Sequence, residues 1–345
     1  YNGLGRTLYE LGRCEEAIDP LTKWAELNDT AVGPFNYLGR CYEKLGDFPQ
    51  AITNFRQWTQ LDPGNAEAHT NLGWALFNRG DYDLAAISFE KAVELDVDAA
   101  RAYWGLGASY NKLEDPNKSL AYYKLAAEVS PGEMYPLIRL GWAQITVKDY
   151  PNAANAFQSA LEMAVTDTEK ADAYRGLGEA YRQQGILDQA LIYLQALSAL
   201  EPDNLNVLFN LSQVYFAMEN YPEAIQSANM ILKQDQTFDK AYVVLGNSYI
   251  ESADLPSAID TYQTWTAVNP QNIEAFNALG WTYLLDSQPD NAIVTFSDAL
   301  SLDSAYVLSL RGRAQAYIRT GNCESAVPDL ELILTINPDD ERAVE

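Results

Sequence analysis

The sequence predicts an all-α protein built from about ten helical hairpins in tandem, and three observations lead to this fold class. A Leu-Gly pair recurs at a nearly constant interval of 34 residues. A small residue, usually Ala, stands thirteen residues after each of these leucines. An aromatic residue follows most of them after four residues and again after seventeen. A fixed period of this length is typical of repeat proteins, so we expect a single solenoid domain over residues 1–345.

Ten copies align on the leucine of this pair, which we call the anchor. The interval between anchors is 34 residues except between Leu140 and Leu177, where it is 37. We expect the three extra residues in a loop near 164–172, because loops tolerate insertions. The anchors are Leu4, Leu38, Leu72, Leu106, Leu140, Leu177, Leu211, Leu245, Leu279 and, in the last copy, Arg313.

Each copy predicts two amphipathic helices, because apolar residues recur at spacings of three and four on both sides of a short break. The first helix carries the anchor and the second carries the small residue. Several breaks have a glycine, as at Gly46 and Gly80, which can adopt the left-handed conformation that ends a helix. Asp or Asn then caps the second helix. The other breaks are expected at Glu114, Lys148, Gly185, Asn220, Asp254, Ser287 and Gly321.

The order of these residues resembles the tetratricopeptide-repeat (TPR) family over essentially the whole chain. The period, the Leu-Gly pair, the tyrosine, the alanine, the second aromatic and a closing proline such as Pro63 all match. The resemblance implies a right-handed superhelical solenoid of antiparallel hairpins whose first helices line a concave groove. It also implies a protein that binds peptides or proteins and has no catalysis of its own.

One position departs from the family pattern. Twenty residues after the anchor the family has Ala, whereas this chain has Trp24, Trp58 and Trp265 in three copies. Rings of this size are expected to push the helices apart or to repack them locally.

Composition argues against several classes of function. The formal charge of −25 should repel nucleic acid and anionic membrane surfaces. His69 is the single histidine, which argues against multi-histidine metal sites and His-dependent nucleophiles. No glycine-rich phosphate loop is present, since the glycines stand at repeat positions. We therefore expect no enzyme, no cofactor and no metal.

The resemblance places six positions per copy on the concave groove. Across the ten copies these positions hold eleven basic and seven acidic residues, while the rest of the chain holds 12 basic and 41 acidic ones. Tryptophans stand beside the cations, which together form an anchor for an extended, acidic or polar partner segment. The candidate groove residues are Arg40, Asn71, Trp74, Arg101, Trp104, Arg139, Trp142, Arg175, Asn210, Lys240, Asn247 and Trp281.

A carboxylate clamp of the kind known in the family would need five matching positions. Arg175, Asn210 and Lys240 fit three of them, but Glu179 and Val244 do not, which argues against a conventional clamp. Three sequons at Asn28, Asn117 and Asn210 are candidate N-glycosylation sites. They indicate, weakly, a secreted or cell-surface protein, and a cytoplasmic location remains the alternative. A glycan on Asn210 would block the groove.

Two other functions remain open from the sequence. The chain begins within a helical pattern and 341–345 read as the start of an eleventh copy, so we expect a piece of a longer protein. Apolar residues of the first and last copies, such as Leu4 and Leu332, lack a neighbouring copy to cover them. The protein is then either an interaction scaffold or a protomer that stacks end to end into an extracellular helical filament. A substrate-recruiting region of a larger enzyme is the third alternative.

Overall fold

A computed structural model describes residues 1–338 and 340, and within these residues it consists of α-helices joined by short turns, without a strand. The expected eleventh copy at 341–345 lies outside the described residues. The chain divides into two compact units, Tyr1–Gly185 and Ile186–Glu345.

Unit 1 contains eleven helices, in which odd numbers are first helices and even numbers are second helices. They are α1 (Asn2–Glu10), α2 (Cys14–Leu27), α3 (Val32–Lys44), α4 (Phe48–Leu61), α5 (Ala66–Arg79), α6 (Tyr82–Leu95), α7 (Ala100–Lys112), α8 (Pro116–Val129), α9 (Met134–Thr146), α10 (Tyr150–Met163) and α11 (Asp167–Gln184).

The described part of unit 2 contains nine helices and continues the same alternation. They are α12 (Leu187–Leu200), α13 (Leu205–Ala217), α14 (Tyr221–Gln234), α15 (Asp239–Glu251), α16 (Leu255–Val268), α17 (Ile273–Leu285), α18 (Pro289–Leu302), α19 (Val307–Arg319) and α20 (Cys323–Ile336). The predicted all-α hairpin array is therefore confirmed.

The hairpin turns contain one residue with positive φ, at or next to each predicted break. Gly46, Gly80, Gly185 and Gly321 have this conformation, and so do Glu114, Lys148 and Ser287. In two copies it is adopted by Glu219 and Ala253, one residue before the predicted Asn220 and Asp254. Those two polar residues stand instead at the N-cap of the next helix, where Asp254 accepts a hydrogen bond from the Ser257 backbone N–H.

The structure differs from the loop expected near 164–172. Only residues 164–166 are outside a helix, and 167–172 form the beginning of α11, which has 18 residues. Thr166 and Glu169 explain this early start, because they form a capping box in which each side chain accepts a hydrogen bond from the other residue's backbone N–H. The propensity of this segment to cap a helix outweighed its polar, loop-like composition.

Glycines explain how neighbouring copies approach each other. A Cβ on Gly73 would lie 2.6 Å from the ring of Phe89, and one on Gly105 of the next copy would lie 2.3 Å from the same ring. Phe89 is fully buried between these two first helices. The same arrangement recurs with Phe157 between Gly141 and Gly176, and with Phe296 between Gly280 and Gly312.

The three tryptophans that replace the family alanine are accommodated in different ways. Trp24 lies against Gly33, whose Cβ would be 2.4 Å from the indole ring. Trp265 stacks on Tyr242 at 5.9 Å between ring centroids and donates its Nε1–H to Asp239 Oδ1 at 2.5 Å. The side chain of Trp58, on α4, is buried and 3% exposed. All three rings are thus accommodated within the helical array.

Candidate functional site

Six of the eight predicted groove residues of unit 1 belong to α5, α7 and α9, and we call the side of these helices that carries them the first-helix face. Trp74 on α5 and Trp104 on α7 meet edge to face, with ring centroids 5.3 Å apart. Trp74 also contacts the buried Phe89 ring at 5.2 Å. Since Phe89 is fixed in the core, the two indoles have a rigid base.

Each indole lies beneath an arginine from the following first helix. The Arg101 guanidinium carbon is 5.9 Å from the centroid of the Trp74 ring, and that of Arg139 is 5.9 Å from the centroid of the Trp104 ring. These distances are in the range of cation–π attraction. The result is a line of alternating cations and rings along the first-helix face.

Asn71 forms the buried end of this line. It is 2% exposed, and its Oδ1 accepts a hydrogen bond from Arg101 Nη1 at 2.8 Å. Asn71 Nδ2 and Trp74 Nε1 are both buried and have no hydrogen-bond partner among the described residues. Buried polar atoms without hydrogen-bond partners are rare in folded proteins, so these two N–H donors are an uncommon feature of the cluster.

An acidic residue, Glu43, lies near the cationic side chains of the cluster. Burial raises the pKa of the Glu43 carboxyl, and the nearby charges of Arg101 and Arg40 oppose this rise. Burial likewise lowers the pKa of Arg101, while Glu43 acts in the other direction. Arg101 and Glu43 therefore lie in a partly desolvated environment, where electrostatic interactions are stronger than in water.

The remaining predicted residues of unit 1 have other contacts. Arg40 is half-buried, donates its Nε–H to Asn36 Oδ1 at 2.7 Å and forms an ion pair with Glu67. Arg175 pairs with Asp172 at 2.9 Å. Trp142 packs edge to face on Phe157 at 5.3 Å. The predicted positive charge of the groove is therefore reduced by neighbouring carboxylates, whereas Arg139 is exposed and has no ion pair among the described residues.

Four predicted residues belong to unit 2. Lys240 Nζ lies 5.8 Å from the centroid of the Phe209 ring, and Trp281 packs on Phe296 at 5.6 Å. Asn247 Oδ1 accepts a hydrogen bond from the Tyr262 hydroxyl at 2.9 Å. Asn210 is half-buried in the middle of α13. Asn247 thus supports the packing of Tyr262, and Lys240 with Phe209 repeats the pairing seen in unit 1.

One such pair was missed from the sequence. Lys44 Nζ lies 4.5 Å from the centroid of the Tyr9 ring, and Tyr9 itself packs on Tyr37 at 5.2 Å. The available signal was the spacing of 35 residues between the aromatic residue and the cation, which Trp104 and Arg139 share.

The three sequons lie in different environments. Asn28 is exposed at the C-cap of α2, and its Oδ1 accepts a hydrogen bond from Thr30 of its own sequon at 2.9 Å. Asn117 is exposed in the first turn of α8.

The described residues contain no cluster of His, Cys, Asp and Glu that could hold a metal ion. Among the helices described, none is both long and apolar enough to cross a bilayer.

Models of the tetratricopeptide repeat match residues 38–96 and 138–204, 183–243, and 100–133, together more than half of the chain. Protein bimA of Emericella nidulans is 23% identical over 162 residues, which are 47% of this chain and 20% of that protein. DnaJ homolog subfamily C member 3 of Bos taurus is 24% identical over 213 residues, 57% of this chain and 42% of that protein. The chain thus spans less than half the length of these curated relatives.

A solved structure has the same fold. The C-terminal part of a TPR repeat-containing protein from Cytophaga hutchinsonii matches with a TM-score of 0.59 and 19% identity, over 71% of this chain and 99% of that chain. The hairpin array, the glycine and aromatic packing and the family models agree. The chain belongs to the tetratricopeptide-repeat family and has the fold of a protein-interaction scaffold.

Proposed function

We propose that this protein is a non-catalytic scaffold whose first-helix face in unit 1 binds an extended, acidic or polar segment of a partner protein. The observation that carries the proposal is the pairing of Arg101 with Trp74 and of Arg139 with Trp104. Aromatic and arginine side chains are the residues that most often dominate binding energy at protein interfaces. A rigid row of them on one face is suited to a partner that lies along the helices.

The charge preference follows from the environment of the Arg139 guanidinium. Arg139 is exposed and without an ion pair among the described residues, so its N–H groups are open to a carboxylate or a backbone carbonyl. The Trp104 ring beneath it restricts its motion, which lowers the entropy lost on binding. An acidic partner would replace hydration of Arg139 by charge-assisted hydrogen bonds.

The test is selection from a random peptide display library, followed by measurement of the dissociation constant of the selected peptides. We expect the wild type to enrich Asp and Glu, and affinity to fall as salt is raised. The double variant Arg101→Gln with Arg139→Gln should bind the same peptides about tenfold more weakly.

The matched control is Lys91→Gln with Lys124→Gln on the second helices α6 and α8. This pair removes the same charge from two exposed lysines, each beside a carboxylate of its own helix. Equal affinities for the two double variants would contradict the proposal.

The stacking alternative rests on apolar side chains of the first and last copies. Tyr1 and Leu4 are 64% and 58% exposed, and Val327 and Ile336 are 48% and 45% exposed. Any copy without a neighbour exposes these positions, so their exposure does not favour a filament over the scaffold function. A substrate-recruiting region of a larger enzyme would use the same first-helix face and is tested by the same experiment.

A further inference from the structure

In several copies a hydrogen bond joins the first helix to the second helix of the preceding copy. The tyrosine four residues after the anchor reaches the residue twenty positions earlier. Tyr110 donates to Glu90 Oε1 at 2.9 Å. Gln195 Nε2 donates to the Tyr215 hydroxyl at 2.9 Å, and Gln263 Nε2 donates to the Tyr283 hydroxyl at 2.7 Å. We call this contact between a first helix and the preceding second helix the tyrosine bridge.

The tyrosine bridge is absent at Tyr249. Its counterpart twenty residues earlier is Asn229, which is one methylene shorter than Gln. Neither side chain has a hydrogen-bond partner among the described residues. A cavity of about 450 Å³ opens at this place, lined by Asn229 and Lys233 of α14, by Tyr249 of α15 and by Asp260 of α16. We call it the outer groove, because the second helices that flank it are not part of the first-helix face.

The preceding copy provides an internal comparison. Nine residues at the same positions, 34 residues earlier, line a cavity of about 230 Å³ between α12 and α14. There Gln195 makes the tyrosine bridge, and the larger Glu223 and Met230 occupy the positions of Ser257 and Thr264. The shorter side chains of the later copy therefore account for a cavity of nearly twice the volume.

The two walls of the outer groove carry opposite charges. Lys233 and Asp260 are both exposed, and they form an ion pair neither with each other nor with any other described residue. The preceding copy has the uncharged Ala199 and Gln226 at these positions. The preceding copy, whose groove is narrower, therefore has neither of these charges.

We propose that the outer groove is a second binding site, which takes a short dipolar ligand with a cationic group toward Asp260 and a carboxylate toward Lys233. Its volume is within the range of sites for small ligands. Unit 2 has 22 acidic and 6 basic residues, so its field draws the cationic end toward the surface. Asn229, Tyr249 and Ser257 supply amide and hydroxyl groups to the ligand between the two charges.

Two sources share this chemistry: a free amino acid such as arginine, and a protein segment with a basic and an acidic side chain. The probes are therefore L-arginine and the blocked tripeptide acetyl-Arg-Gly-Glu-amide, with acetyl-Gly-Gly-Gly-amide as the negative probe. Saturation-transfer NMR on the full chain measures binding of each. Binding of the tripeptide alone supports a partner segment, and binding of L-arginine supports a small-molecule ligand.

Two substitutions localise the binding to the outer groove. Asn229→Gln should restore the tyrosine bridge to Tyr249, narrow the cavity and weaken binding about tenfold, and Asp260→Asn should weaken it similarly by removing the charge. The control is Gln226→Asn, at the position of Asp260 in the narrower groove, which should bind as the wild type does. Circular dichroism confirms that each variant is folded. Absence of binding of both dipolar probes at about 10 mM, or unchanged binding by Asn229→Gln, would overturn the proposal.

Discussion

Arg313 donates two parallel hydrogen bonds to Asp329, from Nε to Oδ2 at 2.8 Å and from Nη2 to Oδ1 at 2.6 Å. Arg313 stands at the anchor position, where the nine preceding copies have Leu. The side chain of Asp329 is 5% exposed and that of Arg313 is 24% exposed. An ion pair therefore occupies two positions that hold Leu279 and Thr295 in the preceding copy.

We predict that Asp329→Ala lowers the free energy of unfolding of unit 2 by about 3 kcal/mol, because it leaves a largely buried guanidinium without its partner. The double variant Arg313→Leu with Asp329→Thr copies Leu279 and Thr295 of the preceding copy. It should restore stability to within about 1 kcal/mol of the wild type. Urea denaturation followed by circular dichroism measures both. An unchanged midpoint for Asp329→Ala would show that the pair is not stabilising.

Gly105→Ala should destabilise unit 1 by about 1–3 kcal/mol, the usual effect of an added methyl group in a tightly packed core. The new Cβ would meet the Phe89 ring at 2.3 Å, and Gly73 leaves that ring no room on the other side. The control is Gly64→Ala, where no atom lies within 4 Å of the new Cβ. Equal thermal midpoints for the two variants would contradict the packing role of Gly105.

The stability of unit 1 should depend on the ionisation of Glu43. Burial raises the pKa of this carboxyl, so protonation of Glu43 is more favourable in the folded chain than in the unfolded chain. The ionised carboxylate therefore lowers the free energy of unfolding at neutral pH, and this destabilisation is lost as the pH falls through the raised pKa. Glu43→Gln should therefore stabilise the protein at pH 7 and have little effect well below the ordinary pKa of Glu. Urea midpoints of both proteins across this range give the difference, and a difference that grows as the pH falls would refute the assignment.

One of the three cysteines should react quickly with a thiol reagent in the folded protein. Cys323 is exposed, whereas Cys14 and Cys41 are buried. Burial raises the pKa of Cys41 to about 12, so the reactive thiolate is scarce at that residue. Titration with an aromatic disulfide reagent at pH 8 should give one thiol per chain, and Cys323→Ser should give none. All three should react in guanidinium chloride, and rapid reaction of three thiols before unfolding would contradict the burial.

The sequence was sufficient for the fold because each hairpin depends on residues near each other in the chain. The breaks at Glu114 and Lys148 could be located without glycine, since the period alone places them. Ion pairs between copies were harder to predict. Glu67 pairs with Arg40, which lies 27 residues earlier, and a count of charges by repeat position does not show which residues pair. The outer groove was missed because it depends on small differences in side-chain length between copies, as between Asn229 and Gln195 or between Ser257 and Glu223.

The position of Phe89 between two glycines of successive copies also has a consequence for cooperativity. Unfolding of either α5 or α7 removes the helix that covers one side of the Phe89 ring. It therefore exposes apolar surface that is buried between the two copies. The free energy of opening α5 therefore includes part of that of α7, as in nearest-neighbour descriptions of repeat proteins. In hydrogen exchange, amides of α5 and α7 should open together, and Phe89→Leu should reduce protection in both helices. A loss confined to α6, which carries the residue, would show that the two copies open independently.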